Sequence, residues 1–149
     1  MDSNMQDRAI GKDTANGIKA PTESVFKGTL QRPGESARKF MATEVTLHPD
    51  LYQIKGLTKE SGSPEWIVIN INTDQSGTFT VSPASEIGAP IGVGGVIDGE
   101  IMQAISGTIT LKQGGDVKFK AADFSFKFEL SSGREGEFEE GVVSIPNLN

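Results

Sequence analysis

Residues 124–138 read FSFKFELSSGREGEF, and this stretch decides the fold class. Large apolar side chains alternate in it with polar ones, at Phe124, Phe126, Phe128 and Leu130. A period of two residues is typical of a β-strand that buries one face. The alternation resumes after the loop and reaches Phe138, so we expect a hairpin whose three-residue loop, 132–134, sets Phe128 opposite Phe138. These phenylalanines are then predicted to form one wall of the core.

The residues before this hairpin predict a second one. A loop at 113–115 sets Leu111 opposite Val117, so that both point to the buried face. The buried positions then change from odd-numbered Val117 to even-numbered Phe124 within a few residues. Such a change of parity requires an extra residue in the strand, so we predict a β-bulge at 121–123.

A pattern typical of β-strands extends through most of the chain. Short runs rich in Val, Ile, Thr and Phe are separated by Gly, Pro, Asn and Asp, and no segment repeats apolar residues at helical spacing. The predicted strands are 25–30, 39–47, 51–57, 66–72, 77–81, 105–112, 116–121, 124–131 and 136–145. We expect an all-β domain at residues 25–149, an antiparallel β-sandwich or flattened barrel of about 8–9 strands.

Two segments do not show this strand pattern. Residues 1–24 are poor in large aliphatic side chains and are broken by glycine and proline, which predicts a flexible N-terminal arm. Residues 83–104 form an apolar stretch that is too long for an ordinary loop. We interpret part of them as an irregular edge strand or a flap over one open end of the fold, with a ligand lid as the alternative. In a ligand-binding fold this segment would line the site with Ile91, Val93, Ile97 and Met102.

Composition and charge exclude several classes of function. His48 is the single histidine and there is no cysteine, so a two-histidine metal site, a thiolate zinc site and a cysteine nucleophile are excluded. The formal charge is −6, and residues 76–149 hold 5 basic and 10 acidic residues. Nucleic acid is a poor partner for such a chain, because phosphate binding requires clustered Lys and Arg. We expect no enzyme activity, no metal and no cofactor.

Three further patterns stop short of a functional motif. Gly92, Gly94 and Gly95 are followed by Ile97 where a dinucleotide-binding loop has its last glycine. Residues 70–76 have the alternating oxygens of a calcium loop but a single carboxylate, so we interpret them as outward polar residues and a turn. The glutamates within residues 135–140 are interpreted as charges that keep an exposed sheet edge from pairing with other chains.

Targeting signals are missing from the chain as numbered. No apolar run approaches the ~20 residues of a spanning helix, and the first residues contain no apolar stretch typical of a signal sequence. The sequence therefore predicts no membrane span and a cytoplasmic location. A periplasmic or extracellular location is the alternative for a chain whose start has been trimmed.

From Phe40 onward the chain resembles a class of bacterial β-meander domains of unknown function, often exported or lipid-anchored small proteins. The matching elements are Phe40, Ala42 and Thr43, Ile54 and Gly56, Gly77–Thr80, residues 107–110, residues 124–126 and residues 141–145. The lipobox cysteine and signal peptide of the exported members are absent. The resemblance implies a fold and no activity or site residue.

Three functions follow in order of preference. The first is a non-enzymatic binding or interaction module that recognises a macromolecule or glycan. Tyr52 and Trp66 would form a sugar or peptide platform if they are exposed, but a core or edge-covering role is the preferred interpretation of these two side chains. The second is a carrier of a small apolar ligand in a cavity inside the β fold. The third is a glycan hydrolase, which would need two carboxylates among Asp98, Glu100, Asp116 and Asp123 to converge in a cleft.

Overall fold

The structure is a computed structural model that describes residues 18–48, 53–59, 62–114 and 117–146. These residues form twelve β-strands and no helix. The strands are Ile18–Lys19 (β1), Val25–Gln31 (β2), Arg38–Met41 (β3), Glu44–Leu47 (β4), Gln53–Thr58 (β5), Glu65–Ile71 (β6), Gly77–Thr80 (β7), Ser82–Pro83 (β8), Ile91–Ile97 (β9), Glu100–Gln113 (β10), Val117–Leu130 (β11) and Glu135–Pro146 (β12). The all-β prediction is confirmed.

All twelve strands belong to one sheet. Its order is β1-β4-β5-β6-β9-β10-β11-β12-β2-β3, with β7 beside the second half of β10 and β8 beside the start of β9. Every pair is antiparallel except β8 with β9. The strand number exceeds the predicted 8–9 because β1, β8 and β9 were not foreseen and 39–47 divides into β3 and β4. In the opposite direction, the predicted strands 116–121 and 124–131 are one continuous strand, β11.

The sheet curls, because β3 and β4 are consecutive in the chain yet lie near opposite ends of the sheet order. Only Ala42 and Thr43 join them. The N–H of Ala42 donates to the carbonyl of Phe26 on β2 at 2.9 Å, and the N–H of Thr43 donates to the carbonyl of Leu57 on β5 at 2.7 Å. At this connection the chain passes from a hydrogen bond with β2 to a hydrogen bond with β5, and the two ends of the sheet are thereby brought together.

The inner face of the curled sheet carries the core. The rings of Phe124 and Phe126 lie within 5.3 Å of the ring of Phe138, measured between centroids. Glycines on neighbouring strands leave room for such rings, and a Cβ on Gly56 would lie 2.6 Å from Cγ of Phe26. The predicted phenylalanine wall is confirmed. Its fully buried rings are Phe26, Phe40, Phe119, Phe124, Phe128 and Phe138.

The predicted bulge lies where the sequence placed it. The pairing of β11 with β12 shifts between Ala121 and Phe124, and Asp123 has a φ of 49°. The two predicted hairpin registers are wrong, the first by four residues and the second by two. Leu111 pairs with Ala121 instead of Val117, and Phe128 pairs with Gly136 instead of Phe138. A shift by an even number of residues keeps every side chain on its predicted face, because side chains alternate with a period of two.

Residues 83–104 are neither an edge strand nor a flap over an open end. β9 lies between β6 and β10 in the interior of the sheet, and it forms a tight hairpin with β10. The turn consists of Asp98 and Gly99, with φ of 54° and 76°. A positive φ at both positions is the geometry of a two-residue hairpin, for which Asp-Gly is a preferred pair.

One further prediction is wrong, and another falls mostly on residues that the structure does not describe. The glutamates of residues 135–140 do not protect a sheet edge, since β12 pairs with β11 on one side and β2 on the other. Of the predicted arm, residues 1–17 lie outside the described residues, while Ile18–Lys19 pair with β4 as a short edge strand.

Candidate functional site

An apolar row crosses the outer face of the sheet, opposite to the core. Leu57 on β5 lies opposite Trp66 on β6, Trp66 lies opposite Val96 on β9, and Val96 lies opposite Ile101 on β10. Directly paired residues of antiparallel strands point to the same face. The four side chains therefore form one line across four adjacent strands, which we call the apolar row.

The apolar row is accessible to solvent. Ile101 is 46% exposed, and Leu57, Trp66 and Val96 are partly exposed. Ile105, further along β10, is 47% exposed. An antiparallel sheet that faces solvent normally alternates buried apolar with outward polar residues. Four outward apolar residues in register are therefore typical of a binding surface rather than of a solvated sheet face.

Trp66 is held by a neighbouring lysine. The Nζ of Lys55 on β5 lies 4.8 Å from the centre of the Trp66 ring system, within the range of a cation–π interaction. Burial lowers the pKa of Lys55, while the carboxylate of Glu44 acts in the opposite direction. Val68, next to Trp66 on the same face, is fully buried. The indole therefore sits in a packed setting that fixes its position on the sheet.

Charged side chains lie close to both ends of the apolar row. At the β4 end, Glu44 lies opposite Leu57, and Lys19 Nζ is 3.5 Å from a carboxylate oxygen of Glu44. At the β10 end, the N–H of Ser131 donates to the carbonyl of Ile101 at 3.0 Å. Glu100, which precedes Ile101 in the chain and pairs with Ile97, accepts a hydrogen bond from the N–H of Ser132 at 2.8 Å and forms an ion pair with Arg134. Hydrogen bonds from Ser132 and Arg134 lower the pKa of Glu100 to about 2.

A strap, residues 82–90, crosses the same outer face beside the apolar row. Ala84 lies over Gly92, so that a Cβ on Gly92 would be 3.0 Å from Cα of Ala84. Asn70 Nδ2 donates to the Ala84 carbonyl at 3.4 Å, and the Ala84 N–H donates to Gln103 Oε1 at 3.0 Å. Gln53 in turn donates to Asn70 Oδ1 at 3.1 Å. Side-chain amides from three strands thus hold the strap in place.

The strap carries the most exposed large apolar side chain among the described residues, Ile87, at 75%. Asn72 Nδ2 donates to the carbonyl of Ala89 at 2.9 Å and fixes the far end of the strap. Asn70 and Asn72 are therefore structural. Asn70 lies on the outer face, as expected for the outward polar residues of 70–76, but it is buried where it contacts the strap.

Charged side chains close one end of the curled sheet. Glu65 on β6 is buried and is bound by both terminal nitrogens of Arg38. Asp98, in the β9–β10 turn, forms ion pairs with Arg38 and with Arg32, which is also buried. Each charge in this cluster has an opposite partner, so the cluster links β3, β6 and the β9–β10 turn at this end of the fold.

The predicted site residues do not form one site. Ile91, Val93, Ile97 and Met102 are fully buried on the inner face, whereas Trp66 lies on the outer face. Tyr52 lies outside the described residues. The remaining members of the apolar row, Leu57, Val96 and Ile101, were missed. The sequence signal that could have identified two of them is the Asp98-Gly99 pair, because a two-residue hairpin turn at this position places Val96 opposite Ile101.

Three of the carboxylates proposed for a hydrolase lie in the described part of the chain, and each has different surroundings. Asp98 pairs with two arginines, Glu100 pairs with Arg134, Asp123 lies in the β11 bulge, and Asp116 lies outside the described residues. Among the described residues no group of acidic and histidine side chains could hold a metal ion. The part of the chain that the structure describes also contains no helix suited to cross a bilayer.

Comparison of the chain with protein-family models, with curated protein sequences and with solved structures finds no match.

Proposed function

We propose that this protein is a non-enzymatic binding module, and that it recognises a protein partner through the apolar row on its outer face. The observation that carries the proposal is the register that places Leu57, Trp66, Val96 and Ile101 side by side on a solvent-facing surface. Aromatic and aliphatic anchors bounded by polar groups are typical of the centre of a protein interface.

The borders of the row fit this role. Glu44, paired with Lys19, lies beside Leu57 at one end, and Glu100, paired with Arg134, precedes Ile101 in the chain at the other, so both signs of charge lie close to the row. Rim charges of this kind orient a partner and set the association rate more than they add affinity. We expect a partner segment with large aliphatic or aromatic residues flanked by charged residues.

The inner face supports the carrier alternative less well. The aliphatic residues expected to line a cavity, Ile91, Val93, Ile97 and Met102, are buried in one cluster with the phenylalanine rings. We interpret the curled sheet as a flattened barrel with a packed interior, since Ala42 and Thr43 join its two ends. The likeness to bacterial β-meander domains stays a prediction.

A peptide selection tests the proposal. Peptides selected from a random displayed library against the wild-type protein are titrated while the fluorescence of Trp66, the single tryptophan, is recorded. We expect apolar peptides that shift the Trp66 emission, and at least about tenfold weaker binding to Ile101→Lys, since burying one isoleucine contributes about 1.5–3 kcal/mol.

The matched control is Thr108→Lys, which places the same charge on an exposed residue of the same strand outside the row. It should bind the selected peptides as the wild type does. Equal binding to wild type and Ile101→Lys would contradict the proposal. A glycan array probed in parallel identifies the competing class of ligand, because a glycan that shifts Trp66 emission would assign the row to carbohydrate.

A further inference from the structure

The free edge of β7 is a second surface with a defined chemistry. β7 pairs with β10 on one side, and the described part of the chain places no strand on its other side. The N–H of Val81 donates to the carbonyl of Gly107 at 2.9 Å, and in the same register Phe79 lies opposite Ile109. Alternate residues of an antiparallel pair exchange their hydrogen bonds. The main-chain groups of Thr78 and Thr80 therefore point away from β10.

These outward main-chain groups have no partner among the described residues. The side chains of Thr78 and Thr80 are exposed, while Phe79 between them packs partly against the core. Edge strands in natural proteins are usually protected from pairing by lysine, proline or a bulge. The sequence of β7, GTFT, contains no charge and no proline. This edge is therefore competent to pair with another strand.

Charge indicates which strand can reach it. Residues 75–85 and 101–111, which hold β7, β8 and most of the neighbouring strand β10, contain no charged residue in a chain that is 23% charged with a net charge of −6. Two copies of an acidic chain repel each other over most of their surfaces. The neutral region around β7 is where two copies can approach without that repulsion.

We propose that β7 is a self-association edge, at which a second copy of this chain pairs its own β7 in antiparallel orientation. Thr78 of each copy then lies opposite Thr80 of the other, and each such pair exchanges both N–H···O=C bonds. The twofold axis passes between the two Phe79 residues. Their side chains approach closely, because they form a pair without hydrogen bonds.

The threonines on the outer face fit the same register. Thr78 Oγ1 lies 2.9 Å from Thr110 Oγ1, and Thr80 lies opposite Thr108. Pairing of two β7 strands continues this ladder of threonines from one copy into the next. Cross-strand threonine pairs of this kind stabilise antiparallel sheets.

A proline substitution tests the pairing. Thr80→Pro removes an N–H that faces away from β10, a position at which an edge strand tolerates proline. The matched control, Thr80→Ala, keeps that N–H and shortens the same side chain. Because a four-residue edge buries little surface, sedimentation velocity should extend to about 1 mM protein. We expect a monomer–dimer equilibrium for wild type and Thr80→Ala, and monomer alone for Thr80→Pro with an unchanged circular dichroism spectrum.

A cross-linking experiment tests the register independently of folding effects at Thr80. The chain has no cysteine, so Phe79→Cys introduces a single thiol whose disulfide must join two copies. Residues paired without hydrogen bonds have Cα atoms about 4.5 Å apart, within disulfide range. We expect mild oxidation to give covalent dimer with Phe79→Cys and none with Ser132→Cys, in an exposed loop. Wild type that stays monomeric, or equal cross-linking of both variants, would overturn the proposal.

Discussion

Arg38 on β3 donates from its two terminal nitrogens to the two carboxylate oxygens of Glu65 on β6, at 2.9 and 2.8 Å. β3 and β6 are not neighbours in the sheet order, so this pair ties the two ends of the curled sheet together. Glu65 is 1% exposed, and its remaining described contact is a hydrogen bond from the N–H of Asp98 at 2.8 Å. The buried carboxylate therefore depends on Arg38 for its charge compensation.

Replacing Arg38 by alanine should cost about 2–3 kcal/mol in the free energy of unfolding. Removing one partner of a fully buried pair costs about 3–5 kcal/mol, and the loss here is smaller because Arg38 is partly exposed. Urea denaturation measures the change. Arg134→Ala removes an arginine from a more exposed pair and should cost less than about 1 kcal/mol. Equal losses for both variants would mean that Glu65 does not depend on its partner.

Glu100 predicts a pH dependence of stability with a definite sign. Its pKa in the folded protein is about 2, below its ordinary value of 4.5. Its hydrogen bonds therefore stabilise the fold above pH 4.5, and this contribution is lost as the pH falls towards 2. Wild type should be more stable than Glu100→Gln at neutral pH, and the difference should disappear near pH 2. A difference that stays constant from pH 7 to pH 2 would contradict the pKa shift, which NMR titration of the Glu100 carboxyl measures directly.

Gly28 should not tolerate a side chain. A Cβ there would clash with the ring of Phe138, which is fully buried. Because overpacking a core typically costs about 1–3 kcal/mol, we expect Gly28→Ala to lower the melting temperature by several degrees. Gly88→Asn is the control, since Gly88 has a φ of 87° and open space around it, and asparagine tolerates that conformation. A stable Gly28→Ala variant would mean that Phe138 is free to move aside.

Asn70→Ala should loosen the strap. The substitution leaves the Gln53 amide and the Ala84 carbonyl without their shared partner, at a cost of about 1–3 kcal/mol. Hydrogen exchange of residues 82–90 should accelerate, while the amides of β11 and β12 stay protected. Uniform acceleration of hydrogen exchange throughout the chain would show instead that Asn70 stabilises the whole fold and does not act specifically on the strap.

Much of the inner face could be predicted from the sequence, because a period of two with large side chains defines a buried strand face. This logic correctly placed Phe124, Phe126 and Phe138 in the core and the bulge before Phe124. The hairpin registers were wrong by four and by two residues, because the alternation of side chains fixes which face they point to but not the length of the loop. The edge assigned to residues 135–140 was wrong because strand order depends on contacts between distant parts of the chain.

β9 was missed because its sequence, IGVGGVI, has glycines where a strand normally has side chains. The structure explains two of them. Gly92 lies under Ala84 of the strap, and a Cβ on Gly95 would collide with the main chain of Trp66. The apolar row depends on this strand, so the candidate site could not be assembled from the sequence once this segment was interpreted as an irregular edge strand or a flap and not as an interior strand.

The pairing of β2 with β12 has a consequence for how the protein is made. Phe26 and Leu30 on β2 are paired with Val143 and Phe138 on β12, which follow them in the chain by more than 100 residues. On its other side β2 pairs with β3, which follows within a few residues. Pairings between distant residues form slowly, whereas local pairings form fast. β2 can therefore pair with β3 as soon as both leave the ribosome, but its second edge stays open until β12 has been synthesised.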